Sequence, residues 1–358
     1  MKMLFVKTHA LGDVLMTTPA VRHTAQVCPD VQYDFLSGKA ASMLLLGNPH
    51  LHDQIYIDER ALFGWKKHLL LPLVSCLRRK GYDRASVFAP GKAILRLLRW
   101  AGIREVYAPS TDSANSRLAG SLPWEPLAPR YIGEFYLRLA RLALGLEPDI
   151  ELAPRELIPE LCVLGEGQEI IDRLLERLKL TNIPLLLVAP GGGRNVRQTM
   201  AVKRWAPERF AEVSAYMCRD YDLFPVLVGD RYDSRSAGIV WQMWGEQGLN
   251  LCGGTTLLTL PALVNRATFI LCNDSLLMHL AVALGRKFVA VFGPTDPQAL
   301  LPPSFLHNAV IPSGIDCAPC TANAVFPGCK TKPSDRCIES ITVEMVWERA
   351  RQMLADKL

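Results

Sequence analysis

The sequence predicts an α/β protein of two doubly wound parallel-sheet domains. Three observations carry that expectation. Short apolar runs alternate with helical patterns from the first residues, the same alternation restarts in the second half, and a stretch with Pro148, Pro154 and Pro159 separates the two. Strand–helix–strand alternation of this kind builds parallel sheets through right-handed crossovers. The 358 residues suffice for two domains of ordinary size.

In the first half, residues 3–6 read as a strand and 14–27 as a helix. Pro19 lies too deep for the first turn of that helix, so a kink is expected there, eased by Thr17 or Thr18. Residues 31–36 read as a strand, 44–46 as a short helix and 55–57 as a short strand. Residues 65–80 are amphipathic and end in a basic turn that suits the helix dipole. Strands at 85–89 and 105–107 flank a helix at 94–100. The second half gives strands at 184–189, 224–228, 249–252, 269–272 and 288–292, with helices at 207–219, 233–244, 256–264 and 276–284 between them. The expected division is a domain over 1–150, a linker over 151–165, a second domain over 166–340 with a Cys-rich loop at 314–338, and a C-terminal helix over 341–358. Ligands of such sheets sit at the carboxyl ends of the strands, so a cleft between the two domains is the expected site.

Hydrophobic residues at 49% and charged residues at 21% describe a soluble globule. The longest apolar run, 69–77, is far short of the roughly 20 residues that span a bilayer. The N-terminus lacks the pattern of a signal peptide, and a cytoplasmic location is expected. Six of the ten cysteines (Cys28, Cys76, Cys162, Cys218, Cys252 and Cys272) stand singly in apolar stretches and read as small core residues. Between Arg60 and Arg104 there are eleven Lys or Arg and one acid, Asp83. That block suits either a solvated helix face or attraction of an anionic partner, with phosphorylated glycolipid or an acidic membrane face favoured over nucleic acid. No aromatic-interleaved basic motif for nucleic acid accompanies it.

Three junctions carry candidate chemistry. Gly12-Asp13 follows the first strand, with Thr8 just before it. Asp13 caps the next helix, or else stands at the strand edge facing a ligand that Gly12 lets approach. Gly191-Gly192-Gly193-Arg194 follows a strong strand. It is a flexible loop, or a cradle whose N–H groups surround phosphate oxygens, with Lys203 and Arg204 adding charge. Asp274-Ser275-Leu276-Leu277 opens a helix with His279 one turn in. It is a capped helix with a core histidine, or an anion site at a helix N-terminus. Gly293-Pro294-Thr295-Asp296 makes a further turn at a strand end.

Four more cysteines, Cys317, Cys320, Cys329 and Cys337, form one CxxC and two singles in a loop rich in Pro and Gly. That spacing suits a structural Zn or Fe site, with disulfides or free thiols as alternatives.

The blocks VKTHALGDVLMTTPAV, KRWAPERF and NDSLLMHLAVALGRKFVAVFGPTDP resemble the heptosyltransferase family, glycosyltransferase family 9, over residues 3 to about 300. The resemblance implies a GT-B fold, two Rossmann-like domains facing across a cleft. It implies inverting, metal-independent transfer of a heptose from ADP-heptose to a hydroxyl of an anionic glycolipid, the lipopolysaccharide core. The sequence holds no Asp-x-Asp motif for a catalytic cation. By the same resemblance Asp13 is the general base, and Gly12 and Thr8 lie on the acceptor side. Gly191, Gly192, Lys203, Asp274, Ser275, Leu276, Leu277 and His279 bind the donor. Leu276 stands where the family usually has Gly, which bears on the donor sugar. Peripheral contact with the inner membrane fits such an acceptor. The alternatives are a family member that glycosylates a protein or metabolite from another nucleotide sugar, a sugar-nucleotide epimerase, and a non-catalytic sugar-nucleotide-binding protein.

Overall fold

A computed structural model describes residues 1–58, 70–89, 91–110, 118–123, 131–194, 199–320, 329 and 336–355. The chain divides into two compact units, Met1–Cys162 and Val163–Leu358. Each is built around a six-stranded, all-parallel sheet.

The first sheet contains β1 (Lys2–Lys7), β2 (Gln32–Gly38), β3 (Asp53–Ile57), β4 (Arg84–Val87), β5 (Glu105–Ser110) and β6 (Gly120–Pro123) in the order β3-β2-β1-β4-β5-β6. Its helices are α1 (Leu11–Leu15), α2 (Thr18–Val27), α3 (Leu71–Lys80), α4 (Lys92–Trp100) and α5 (Ile132–Ala143). Strand β1 is apolar on both faces because helices cover both. Leu4 and Val6 pack with Val74, Leu77, Leu97 and Leu98 of α3 and α4. Phe5 points the other way and stacks on Tyr33 and Phe88, at 5.6 and 5.7 Å between ring centroids. Phe88 in turn meets Tyr136 of α5 at 5.0 Å. Side chains alternate along a strand, so Lys7 shares the face of Phe5 and reaches the same tyrosine.

The helix expected over 14–27 is two helices. Pro19 sits in the first turn of α2, where its missing N–H costs nothing. Thr17 and Thr18 close the break by donating to the carbonyls of Val14 and Leu15, at 2.6 and 2.8 Å. Of the helix expected over 65–80, residues 65–69 lie outside the described residues, and α3 accounts for the rest.

The second sheet repeats the topology. Its strands are β7 (Leu185–Ala189), β8 (Phe224–Leu227), β9 (Leu249–Asn250), β10 (Ala267–Asn273), β11 (Phe288–Val291) and β12 (Ala309–Val310), in the order β12-β11-β10-β7-β8-β9. Read from β9, this is the same order as the first sheet. Around it lie α6 (Gly165–Arg177), α7 (Pro207–Tyr221), α8 (Ser234–Met243), α9 (Leu260–Arg266), α10 (Leu276–Ala283), α11 (Pro297–Leu300), α12 (Arg336–Glu339) and α13 (Val343–Ala355). Helix α13 packs on α7, joining Val346, Ala350 and Leu354 to the core of Val188, Phe210 and Leu271.

Strand order reverses between β1 and β4 and between β7 and β10. At such a switch point the adjoining connections leave in opposite directions and open a crevice at the carboxyl edge. The chain segments at these two points are residues 8–13 in one unit, and 190–193 with 274–275 in the other.

Candidate active site

In the N-terminal unit, Lys7 ends β1 almost fully buried, and Ala10 turns the chain at φ 63° before α1. A non-glycine residue there stores about 1–3 kcal/mol of strain, a cost that clusters at functional sites. Asp13 lies in the first turn of α1, but its side chain makes no cap. It accepts instead from Lys7 Nζ at 2.7 Å through Oδ2. The capping alternative is therefore set aside. Lys7 Nζ also stands 5.6 Å from the centroid of the Tyr136 ring. Burial pushes the Tyr131 and Tyr136 phenols well above their usual range, and the nearby Asp13 charge adds to the shift of both. Gly12 is half-buried beside Asp13, and Thr8 is buried with its hydroxyl 3.3 Å from His9 Nδ1. The two tyrosines carry no site signal in the sequence, and Lys7 only a weak one. A lysine ending a buried strand was the clue available.

In the C-terminal unit, Asn273 at the end of β10 is fully buried and holds three segments together. Its amide donates to the carbonyls of Pro190 and Gly191, at 3.1 and 2.9 Å, and its oxygen accepts from the backbone N–H of Trp205 at 3.0 Å. The glycine loop is shaped by what surrounds it. A Cβ on Gly191 would lie 2.1 Å from Cγ of Asp233, and one on Gly192 (φ +103°) would lie 2.8 Å from Cβ of Ser275. Asp233 accepts from Gly192 N–H at 3.1 Å, and Arg204 Nε donates to the Gly192 carbonyl at 2.8 Å. Gly191, Gly192 and Ser275 thus meet at the switch point, with the Gly192 N–H engaged by Asp233.

Lys203 and Asp274 form the charged centre of this site. Lys203 Nζ donates to Asp274 Oδ2 at 2.6 Å, and Thr295 Oγ1 donates to the same oxygen at 2.8 Å. Burial alone would raise the Asp274 carboxyl. The charge and hydrogen bond of Lys203, helped by His279 and Thr295, outweigh it and hold the carboxyl below the usual range. Ser275 stands at the N-cap of α10, and its buried hydroxyl has no partner among the described residues. Leu276 is half-buried, while Leu277 and His279 are buried in the first turns of α10. Arg194 lies over the Tyr232 ring, 3.2 Å from its centroid.

The four cysteines of the C-terminal loop form no disulfide among the described residues. Burial raises Cys337, and Cys320, Cys317 and Cys329 are near enough to raise it further. Yet among the described residues no three His, Cys, Asp or Glu side chains are arranged to hold a metal ion. The Zn or Fe staple expected from the spacing finds no support among the described residues. Of the six single cysteines only Cys272 is buried. The other five are half-buried, and of these Cys218 and Cys252 pack against the core of the C-terminal unit.

The basic block is not one uniform surface. Lys80 is held by Asp34 and Asp53, and Arg84 by Glu105. Arg78, Arg79, Arg96, Arg99 and Arg104 are exposed. Crossover helices run antiparallel to the strands, so the basic last turn of α3 lies at the sheet edge opposite Asp13. Residues 60–69 and 90 of the block lie outside the described residues. No helix among the described residues is long and apolar enough to cross a membrane.

Residues 171–326 match the family model described as glycosyltransferase family 9 (heptosyltransferase). Lipopolysaccharide heptosyltransferase 1 of Pseudomonas aeruginosa is 25% identical over 334 residues, covering 89% of this chain and 86% of that protein. Lipooligosaccharide heptosyltransferase 2 of Campylobacter jejuni is 27% identical over 157 residues, covering 43% of this chain and 47% of the relative, about half its length. The solved structure of Escherichia coli ADP-heptose lps heptosyltransferase II aligns with a TM-score of 0.72 at 22% identity, covering 99% of each chain. That likeness establishes the fold, two doubly wound α/β units of GT-B type. The C-terminal unit thus matches the model of glycosyltransferase family 9, and the relatives that this chain resembles along most of their length are lipopolysaccharide heptosyltransferases.

Proposed function

We propose that this protein transfers a heptose from ADP-heptose to a hydroxyl of an anionic glycolipid acceptor of the lipopolysaccharide-core type, with inversion at the anomeric carbon. One observation carries the reading. The two switch points hold complementary chemistry, a paired carboxylate in one unit and a cation beside a glycine loop and a helix N-terminus in the other.

Asp13 acts as the general base. Lys7 engages its Oδ2, which leaves Oδ1 to take the proton of the acceptor hydroxyl. The acceptor oxygen then bonds to the anomeric carbon as the bond from that carbon to the diphosphate breaks. The electron pair of that bond leaves with ADP. Lys203 and the N–H groups at Ser275, Leu276 and Leu277 stabilise the departing charge. Asp274 holds Lys203 in place and is itself pinned by Thr295. Leu276 narrows the donor pocket where the family has Gly, and His279 completes it from one turn in. Gly12 and Thr8 border the acceptor side. The exposed arginines of the basic block attract the anionic acceptor at long range on the cytoplasmic face of the membrane.

The test is transfer from ADP-heptose to heptose-deficient lipopolysaccharide, followed by ADP release and by the anomeric configuration of the product. An inverted product and a loss of about 10²- to 10⁴-fold in kcat for Asp13→Asn are expected. A retained configuration, or an Asp13→Asn enzyme with wild-type rate, overturns the mechanism.

A further inference from the structure

A second side chain beside Asp13 has chemistry that the fold does not use. Tyr131 precedes α5 and is almost fully buried, and its hydroxyl has no hydrogen-bond partner among the described residues. The chain makes room for this ring at some cost. A Cβ on Gly133 would lie 2.3 Å from Tyr131 Cε1 and 3.0 Å from the carbonyl oxygen of Met16, three residues beyond Asp13. Only glycine, a poor helix former, lets the ring fold back between the start of α5 and the end of α1. Tyr136, from the same helix, lies under Lys7, which is paired to Asp13. Tyr136 thus borders the Lys7–Asp13 pair, Tyr131 stands by the end of the short helix that carries Asp13, and the Asp13 charge is felt by both phenols.

A buried donor without a partner lowers stability, and a protein keeps one where function uses it. Phenylalanine would fill the same space without that cost.

We propose that Tyr131 is an acceptor-binding residue, its phenol hydroxyl donating a hydrogen bond to an acceptor sugar oxygen next to the hydroxyl that Asp13 deprotonates. This rests on the reading of Asp13 as the base. The hydroxyl gains its partner only when acceptor is bound, so its contribution falls on acceptor affinity and orientation, not on donor binding.

The variant to make is Tyr131→Phe, compared with wild type and Asp13→Asn. Steady-state kinetics use ADP-heptose and heptose-deficient lipopolysaccharide, and thermal melting uses the free proteins. The expected result is a Tm equal to or above that of wild type, a kcat/KM for acceptor lower by about tenfold, and an unchanged KM for donor. A Tm lowered by several degrees gives the hydroxyl a structural partner and overturns the proposal. So does an unchanged acceptor kcat/KM beside an inactive Asp13→Asn, a result that leaves the base in place. An Asp13→Asn enzyme with wild-type rate removes the base itself, and the tyrosine's role with it.

Discussion

Replacing Lys203 with Met strips the nearly buried Asp274 of its cation. The pair is 2.6 Å long, with side chains only 16% and 5% exposed, so water can solvate the abandoned carboxylate poorly. Breaking a buried pair from one side costs about 3–5 kcal/mol. Thr295 and His279 remain as partners, which places the loss near the lower figure, about 3 kcal/mol. For a unit the size of residues 163–358 that is a fall of about 6–12 °C in Tm. The pH dependence is the sharper signature. In the wild type the depressed Asp274 carboxyl contributes stability above its unfolded pKa of about 4, lost only as the pH falls through its folded value. Without Lys203, Thr295 and His279 oppose the effect of burial only in part, so the carboxyl is expected to titrate higher in the folded state than in the unfolded one, and the sign reverses. The variant then gains on the wild type as the solution is acidified, by at most about 1.4 kcal/mol per pH unit. Melting at pH 7.5 and pH 5.0 measures this, with Lys203→Met/Asp274→Asn as the partner variant. The double variant should recover most of the loss, because a neutral amide replaces the stranded charge. An equal loss at both pH values, with no rescue in the double variant, refutes the reasoning.

Gly191→Ala should lower ADP affinity at least tenfold by calorimetry, because the added Cβ would meet the buried Asp233 at 2.1 Å and push the loop out of register. Trp205→Ala should cost about 3–5 kcal/mol in urea melts. The residue is fully buried, packs 5.2 Å from the Phe210 ring and donates through Nε1 to the Ile341 carbonyl at 2.8 Å, just ahead of α13.

Most of the strands were legible because a parallel sheet covered on both faces needs continuous apolar runs, and Leu185-Leu186-Leu187-Val188-Ala189 shows one without polar interruption. The short β6 and β12 were not. Gly120-Ser121-Leu122-Pro123 and Ala309-Val310 are defined by their neighbours, not by their own composition. Helix α5 did carry a helical apolar spacing, with Tyr136, Leu139, Ala140 and Ala143 on its buried side, and a reading for helices between 108 and 150 would have found it. The candidate residues near a glycine or a helix start were visible because those features have a local signature. Lys7, Tyr131 and Asp233 were not singled out, since their roles come from contacts across the sheet topology. Lys7 meets Asp13 only because Ala10 folds α1 back over the end of β1. The cysteine loop shows the converse. Spacing suggests four ligands, but the thiols it gathers do not take up a metal-holding arrangement among the described residues.

The proposed donor is tested most directly by calorimetric titration of the purified protein with ADP, UDP, GDP and CDP side by side. Selective binding of ADP, lost in Lys203→Met/Asp274→Asn, is the expected result. Tighter binding of another nucleotide would contradict the ADP-heptose assignment, and binding of none would contradict the donor site drawn around Gly191, Lys203 and Ser275.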